Sequence, residues 1–375
     1  MHDVNGNLIY DQPNEQIAFI DSLVEPYFIE AVVADSLRND TMLNDSSSTI
    51  NNIVINPTEG LSQIKNFEMA LFQEIDSLQR FMKAIVAKEN QINFVFKIPT
   101  SNAQIRALDL NPDANWFRRE MNETRDTLIY WLRDVDKDSL EFEISDNNSV
   151  LDTINMSILK RVTGRKEKKD TAEFKALIIR SGLKGKTCEL SKPIDFTFGY
   201  PVEKFDFSKI QLLEHDSIPV EAGYAFSDSI NRKLSVDYKW QESAKYKLII
   251  PDSLFFDIHG QSNDTLVVQF TAKSLDSYGN LYINITLLNP GSNHIIQLIK
   301  KDQVIQEKAL MEDGLVRFEY INPGDYNVKV IYDDNHNGIW DTGDYIYNIQ
   351  PERVDFFPVT ITIRGNWDME EDWEL

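Results

Sequence analysis

Gly324-Asp325-Tyr326-Asn327-Val328-Lys329-Val330-Ile331-Tyr332 runs directly into Asp333-Asp334-Asn335-His336-Asn337-Gly338-Ile339-Trp340-Asp341-Thr342-Gly343-Asp344. The second stretch places oxygen-bearing side chains where a twelve-residue calcium loop has its ligands: Asp333, Asn335, Asn337, Asp341 and Asp344. Ile339 stands where such a loop gives a backbone carbonyl, and Gly338 where it turns sharply. The first stretch decides the fold. Tyr326, Val328 and Val330 alternate with polar residues, which is strand period and not helix period. Tyr345-Ile346-Tyr347 reads as strand again. The motif is therefore a strand–loop–strand hairpin with EF-like ligands, not an EF-hand. The alternative is a metal-free Asn/Asp/Gly turn whose side chains bond their own backbone.

A weaker copy opens the chain. Asp3, Asn5, Asn7, Asp11 and Asn14 supply the side-chain positions and Ile9 the carbonyl, with Leu8 where the glycine should be. Because the chain begins on this loop, it reads as an N-terminally truncated piece whose missing part would carry the export signal.

Composition narrows the function classes. The 375 residues carry 60 acidic against 38 basic side chains, a net charge of −22 that repels nucleic acid and anionic membranes and favours divalent cations. A single cysteine, Cys188, excludes an internal disulfide framework and reads as a small buried hydrophobe. No apolar run is long enough for a transmembrane helix. A monomer is expected.

Outward from the hairpin, the chain divides into a tail of a truncated β domain (1–34, with a strand at 17–20), an Asp/Asn/Ser/Thr-rich linker (35–60), a first Ig-like unit (61–160), a connector (161–184) with the basic run 160–169, a second unit (185–274) and a last unit (275–375). Gln91–Phe96, Leu128–Leu132, Leu140–Ile144, Ile194–Phe198, Leu234–Tyr238 and Tyr246–Ile250 have strand composition. Within 61–90, Leu71, Ile75, Leu78, Phe81 and Met82 fit helical spacing while Phe67–Leu71 fits a strand, and a short helix around 61–88 stays open beside the strand reading. The fold class is mainly β: tandem antiparallel sandwiches. In the acidic tail, Trp367 and Trp373 read as terminal packing.

These residues resemble a family. Pro193–Phe198 with Pro201-Val202, Lys245–Pro251 and Val267–Phe270 resemble bacterial Ig-like domains of the S-layer type. Asn322-Pro323-Gly324-Asp325-Tyr326 followed by 333–344 resembles the prealbumin-like, carboxypeptidase-regulatory type of domain. The combination is similar to the Ig-like-domain surface lipoproteins of Bacteroidetes. That resemblance implies a non-catalytic exported protein at the cell surface or facing the periplasm, lipid-anchored in full-length form, although no lipobox cysteine is present here. It also tilts 61–90 toward strand. Asp-Ser/Thr-apolar triplets, as at Asp126 and Asp264, are similar to the family's O-glycosylation acceptor. They read mainly as turns feeding strands, with Ser36 and Thr41 as candidate glycan sites.

Catalysis needs a poised base, nucleophile or metal. His2, His215, His259, His294 and His336 belong to no local catalytic motif. Three functions compete: a structural or adhesive β protein with a calcium-stiffened hairpin, which is the expected one; a protein- or glycan-binding module using an aromatic patch such as Trp340, Tyr345 and Tyr347; and, remotely, a hydrolase built on a carboxylate pair.

Overall fold

The computed structural model describes residues 2, 4–12, 14–20, 69–76, 78–111, 115–158, 176–215, 217–288 and 291–375. The linker 35–60, the basic run 160–169, Ser36, Thr41 and Asp3 lie outside them. The described residues form two compact units, one from Met1–Ile75 with Trp340–Arg353, the other from Asp76–Ile339 with Val354–Leu375.

The larger unit holds three successive sets of strands, each burying its own core. In the first set, Phe81–Lys88, Gln91–Phe96, Thr127–Leu132 and Phe117–Met121 lie in that order, all antiparallel. Gln104–Ala107, Ser139–Asp146 and Ser149–Ser157 form a second sheet. Alternation along Gln91–Phe96 sends Ile92, Phe94 and Phe96 inward, where they meet Leu140, Phe142 and Ile144 from the other sheet. Phe81–Lys88 is strand, and Leu71, Ile75 and Leu78 are each more than half exposed, so the apolar stripe at helical spacing is not a buried helix face. Among the described residues the only helical pieces are two 3-10 turns, Phe207–Lys209 and Leu275–Ser277.

In the second set, Ile179–Ser181, Ile194–Phe198, Lys233–Asp237 and Gly223–Phe226 face Thr187–Cys188, Leu266–Ala272, Lys245–Ile250, Gln211–Glu214 and Ile218–Val220 around one cluster centred on Phe196, Phe198, Tyr246 and Phe255. Thr187–Cys188 runs parallel to Leu266–Ala272, a departure from the all-antiparallel expectation. Cys188 is buried in this core, and burial pushes its thiol up to about 11.

In the third set, Gly279–Thr286 pairs with Gly314–Ile321 and, in parallel, with Asp368–Glu374. Across the core lie Gln303–Leu310, Asn293–Lys300 and Gly324–Asp333. Val354–Phe356 and Ile361–Ile363 both pair with Gly324–Asp333, the first near its end and the second near its start.

The sets are joined by buried chemistry. Trp131, on the outer face of its strand, packs with Ile129, Tyr200, Ile230 and Ile258. Its indole N–H donates to Glu120 Oε2 at 2.9 Å, and Arg232 from the second set grips the same carboxylate at two points. The Lys88 ammonium lies 4.5 Å from the Trp131 ring and 4.0 Å from that of Tyr200 and donates to the Gly199 carbonyl. Between the second and third sets, Lys273 bonds Glu189 at 2.6 Å, and the Tyr278 hydroxyl donates to the same carboxylate at 2.7 Å.

In the smaller unit, Gln16–Ile17 pairs antiparallel with Phe72–Gln73. The strand expected at 17–20 is thus shorter and starts earlier, because its partner offers only two residues. Phe19 sets its edge on Phe72 and on Tyr345, with centroids 5.8 and 5.6 Å apart. Gly343 lies under the Phe72 ring, where a Cβ would sit 2.7 Å from Cζ.

Candidate functional site

Asp333 ends its strand fully buried. Its carboxylate accepts from Asn337 N at 3.0 Å, Gly338 N at 2.9 Å and Asn293 Nδ2 at 2.6 Å. Burial alone would raise its pKa, but these donors outweigh it and hold the carboxyl below the usual range. The chain then steps forward in linked Asx turns. Asn335 Oδ1 accepts from Asn337 N, and Asn337 Oδ1 from Ile339 N, both at 2.9 Å. His336 and Gly338 take positive φ at 61° and 80°. The Asn293 amide oxygen, beside Asp333, is buried with no hydrogen-bond partner. A buried amide oxygen of this kind is met by a water or an ion.

The boundary between the compact units falls between Ile339 and Trp340, so Asp341 and Asp344 belong to the smaller one. There the Asp341 N–H donates to Glu352 Oε2 at 3.0 Å and the Trp340 indole donates to the Glu352 carbonyl at 2.9 Å. Asp344 exchanges two backbone bonds of 2.8 Å with Ile349, and its Oδ1 accepts from Tyr347 N at 2.9 Å. Tyr345-Ile346-Tyr347 is therefore a turn and not the strand its residue types suggest. The Asp344–Ile349 closure and the positive φ of Asn348 override β propensity. The Tyr345 ring packs edge-on against Tyr10 at 5.6 Å, while Tyr347 is exposed.

The N-terminal loop, also in the smaller unit, repeats the same steps. Asn5 Oδ1 accepts from Asn7 N at 3.0 Å and Asn7 Oδ1 from Ile9 N at 2.8 Å. The amides of Asn5 and Asn7 converge on the two oxygens of Asp11, at 3.1 and 2.8 Å. Asn14 is exposed and takes no part in these bonds. The amide oxygens thus face the backbone N–H groups and the amide nitrogens face Asp11, so a hard cation here would take the place of the two amide N–H donors at the Asp11 carboxylate. Among the described residues no three Asp, Glu, His or Cys side chains gather into a metal-holding group.

Two carboxylates escaped the motif reading. Glu15 is fully buried and accepts from Val4 N, Asp11 N and Gln12 N. Glu352 accepts from Asp341 N. Asp11 and Asp341 hold the same place in their loops, and in both a glutamate holds the backbone N–H of that aspartate. Glu15 follows its aspartate by four residues and Glu352 by eleven, so no fixed spacing marks them.

No family model and no curated protein matches the chain. Likenesses among solved structures are weak. The Bacillus anthracis TIE protein is 12% identical, with 55% of this chain and 41% of that one covered at a TM-score of 0.18. The major pilin subunit of Bacillus cereus is 8% identical, with 74% and 95% covered at 0.19. A piece of native alpha-2-macroglobulin from Escherichia coli spanning domains MG0-NIE-MG1 is 10% identical, with 68% of this chain and 94% of that piece covered at 0.23. The chain spans 41% of the length of the first of these. Scores this low carry no argument, and the fold rests on the strand pairing above. Among the described residues no helix is long and apolar enough to cross a membrane.

Proposed function

We propose that the chain is a non-catalytic, modular exported β protein with a structural or adhesive role, whose modules follow the subdivision 61–160, 185–274 and 275–375. The observation that carries this reading is the junction at Trp131. A load-transmitting protein needs adjoining sandwiches that do not swivel. A buried indole, a two-point Arg232–Glu120 pair and Lys88 between two rings meet that need. Placement at the cell surface as a lipid-anchored protein follows the sequence resemblance.

Calcium is proposed as the element that stiffens both loops. Asp333, Asn335, Asn337, Ile339, Asp341 and Asp344 would hold one ion, and Asp3, Asn5, Asn7, Ile9, Asp11 and Asn14 a second. A bound cation relieves repulsion among these carboxylates in a chain already at −22 and links folding to calcium concentration. At a hundredfold excess over Kd that linkage is about 2.7 kcal/mol, roughly 5–10 °C in Tm for a domain of ~150–250 residues. Thermal unfolding of the whole chain, in millimolar calcium and in EDTA, tests it. A rise with calcium that shrinks in Asp341→Ala and in Asp11→Ala supports the proposal. No rise, or an equal loss in both media, reduces the loops to turns.

A further inference from the structure

At the end of the third sandwich, Tyr278, Tyr320 and Trp367 line a cleft of about 320 Å³ with Asn280, Glu319 and Asp368. We propose that this cleft binds a neutral sugar ring of a glycan.

The cleft is built by a distortion of the sheet. Gly279–Thr286 and Gly314–Ile321 pair residue by residue until Leu281↔Phe318, after which the next partners are Gly279↔Ile321. Glu319 and Tyr320 thus stand opposite Asn280 alone, a bulge that re-aims side chains at the sheet's rim. Tyr320 is driven to φ 56°, a left-handed conformation costly for a bulky residue, and the neighbouring Asn366 also sits at φ 56°. The strain is held from both sides. Asn280 Oδ1 accepts from Tyr320 N at 3.1 Å, and Asn366 N donates to the Tyr278 carbonyl at 2.8 Å.

The product of that strain is a pair of presented aromatic rings. Trp367 is 54% exposed and Tyr320 41%, although both stand beside a well-formed core. The Tyr320 ring meets Tyr278 edge-on at 5.6 Å, which fixes its tilt. Trp367 is fixed through its backbone, since its carbonyl accepts from Asn280 N at 2.9 Å, and through Arg364, whose guanidinium lies 5.1 Å from the ring. The apolar face of a pyranose stacks on such rings, which carry a polar handle at one end.

The polar groups select hydroxyls. Asp368 Oδ1 accepts from Asn280 Nδ2 at 2.7 Å, which orients the carboxylate at the cleft wall, and Glu319 adds a second one. Carboxylates accept from sugar hydroxyls, and amides both donate and accept. Two carboxylates in a chain of net charge −22 repel a phosphate, a sulfate or a uronic acid. Arg364, 5.1 Å from the Trp367 ring, already supplies a positive charge beside it and opposes a second cation there. The volume lies at the low end of small-ligand sites, ~300–1,000 Å³, and suits one or two rings in place of a long chain.

Saturation-transfer NMR on the whole chain tests the assignment. The probes are methyl mannoside, methyl galactoside, methyl glucoside and N-acetylglucosamine at millimolar concentration, with glucuronate and an Arg-Gly-Arg peptide as comparisons. The expected result is transfer from the protein to at least one neutral pyranoside, with affinity reduced roughly tenfold in Trp367→Ala and in Asp368→Asn. Trp367 is exposed, so the variant is expected to keep the wild-type amide NMR pattern away from the cleft. Trp367→Phe, which keeps an aromatic face, is expected to retain part of the binding. The proposal is overturned by the absence of transfer to every neutral pyranoside, by binding that survives Trp367→Ala unchanged, or by preference for glucuronate or the peptide.

Discussion

Arg232 and Glu120 lie 112 residues apart on successive sandwiches and meet at two points, Nε to Oε2 and Nη2 to Oε1, each 3.0 Å long. Their side chains are only 18% and 12% exposed, so the pair is largely withdrawn from solvent. Arg232 also donates to the Phe198 carbonyl at 3.2 Å, and its guanidinium lies 5.1 Å from the Trp131 ring. One side chain therefore ties the core of the second sandwich to the outer face of the first.

Removal of one partner leaves a buried charge. Glu120→Ala is expected to destabilise the chain by about 2–3 kcal/mol, because Arg232 and the Trp131 indole lose their acceptor together. Urea unfolding measures the loss. The double variant Glu120→Leu with Arg232→Met is expected to recover much of it. A double variant as unstable as the single one would show that the pair is favourable in its own right.

Lys88 gives the junction a pH dependence. Burial, with Arg232 and Arg180 nearby, pushes its ammonium down from 10.5 to about 8, against the pull of Glu120 and Asp257. The folded chain then binds fewer protons at this site than the unfolded one between those values, so this contribution to stability rises with pH from about 8 to 10.5. The difference in stability between wild type and Lys88→Met, followed across that window, is expected to change in favour of wild type. A flat difference would contradict the shift.

Glu189 adds a dependence of the same sign at the second junction, in the acid range. Burial alone would raise its pKa, but Lys273 and Tyr278 outweigh it and hold the carboxyl below 4.5. A depressed carboxyl contributes stability that is present above its unfolded value and lost as pH falls through its folded one. Acid unfolding of Glu189→Gln is expected to lack that part of the wild-type slope below about pH 4.5.

Gly279 is required by space and not by its dihedral. A Cβ there would collide with the Arg364 carbonyl and lie 2.6 Å from Ile363 Cγ2 and 3.1 Å from the Trp367 carbonyl. Gly279→Ala is expected to cost about 2–3 kcal/mol by overpacking and to displace Trp367. Thermal unfolding reads the first effect and the fluorescence of the exposed indole the second.

Much of the fold was legible because it is written locally. Gln91–Phe96 and Ile194–Phe198 come out to the residue, since alternation along each strand matches a sheet with one buried face. Other features depend on partners distant in sequence. Tyr345–Tyr347 has strand composition but is bent by Asp344 and Ile349. Trp373 packs at the terminus as expected, edge-on to Phe357 at 5.5 Å, whereas Trp367 in the same acidic tail is presented outward. Nothing in the local sequence separates them, because the difference arises from a bulge in another strand. Of the loops, the Asx steps were readable in the Asn spacing. The buried glutamates that hold Asp11 and Asp341 were not.

Ile331 and Val354 are direct cross-strand partners. The chain therefore leaves the third sandwich at Asp333 and re-enters it beside the strand it left. Such an excursion is a cassette on a closed hairpin. Its length can drift, or its contents be exchanged, without altering the register of the sheet that carries it, while the core strands stay under their own packing constraints. The segment after Asp333, which carries most of the C-terminal loop's candidate ligands, can then take on new loop chemistry without shifting the register of the third sandwich.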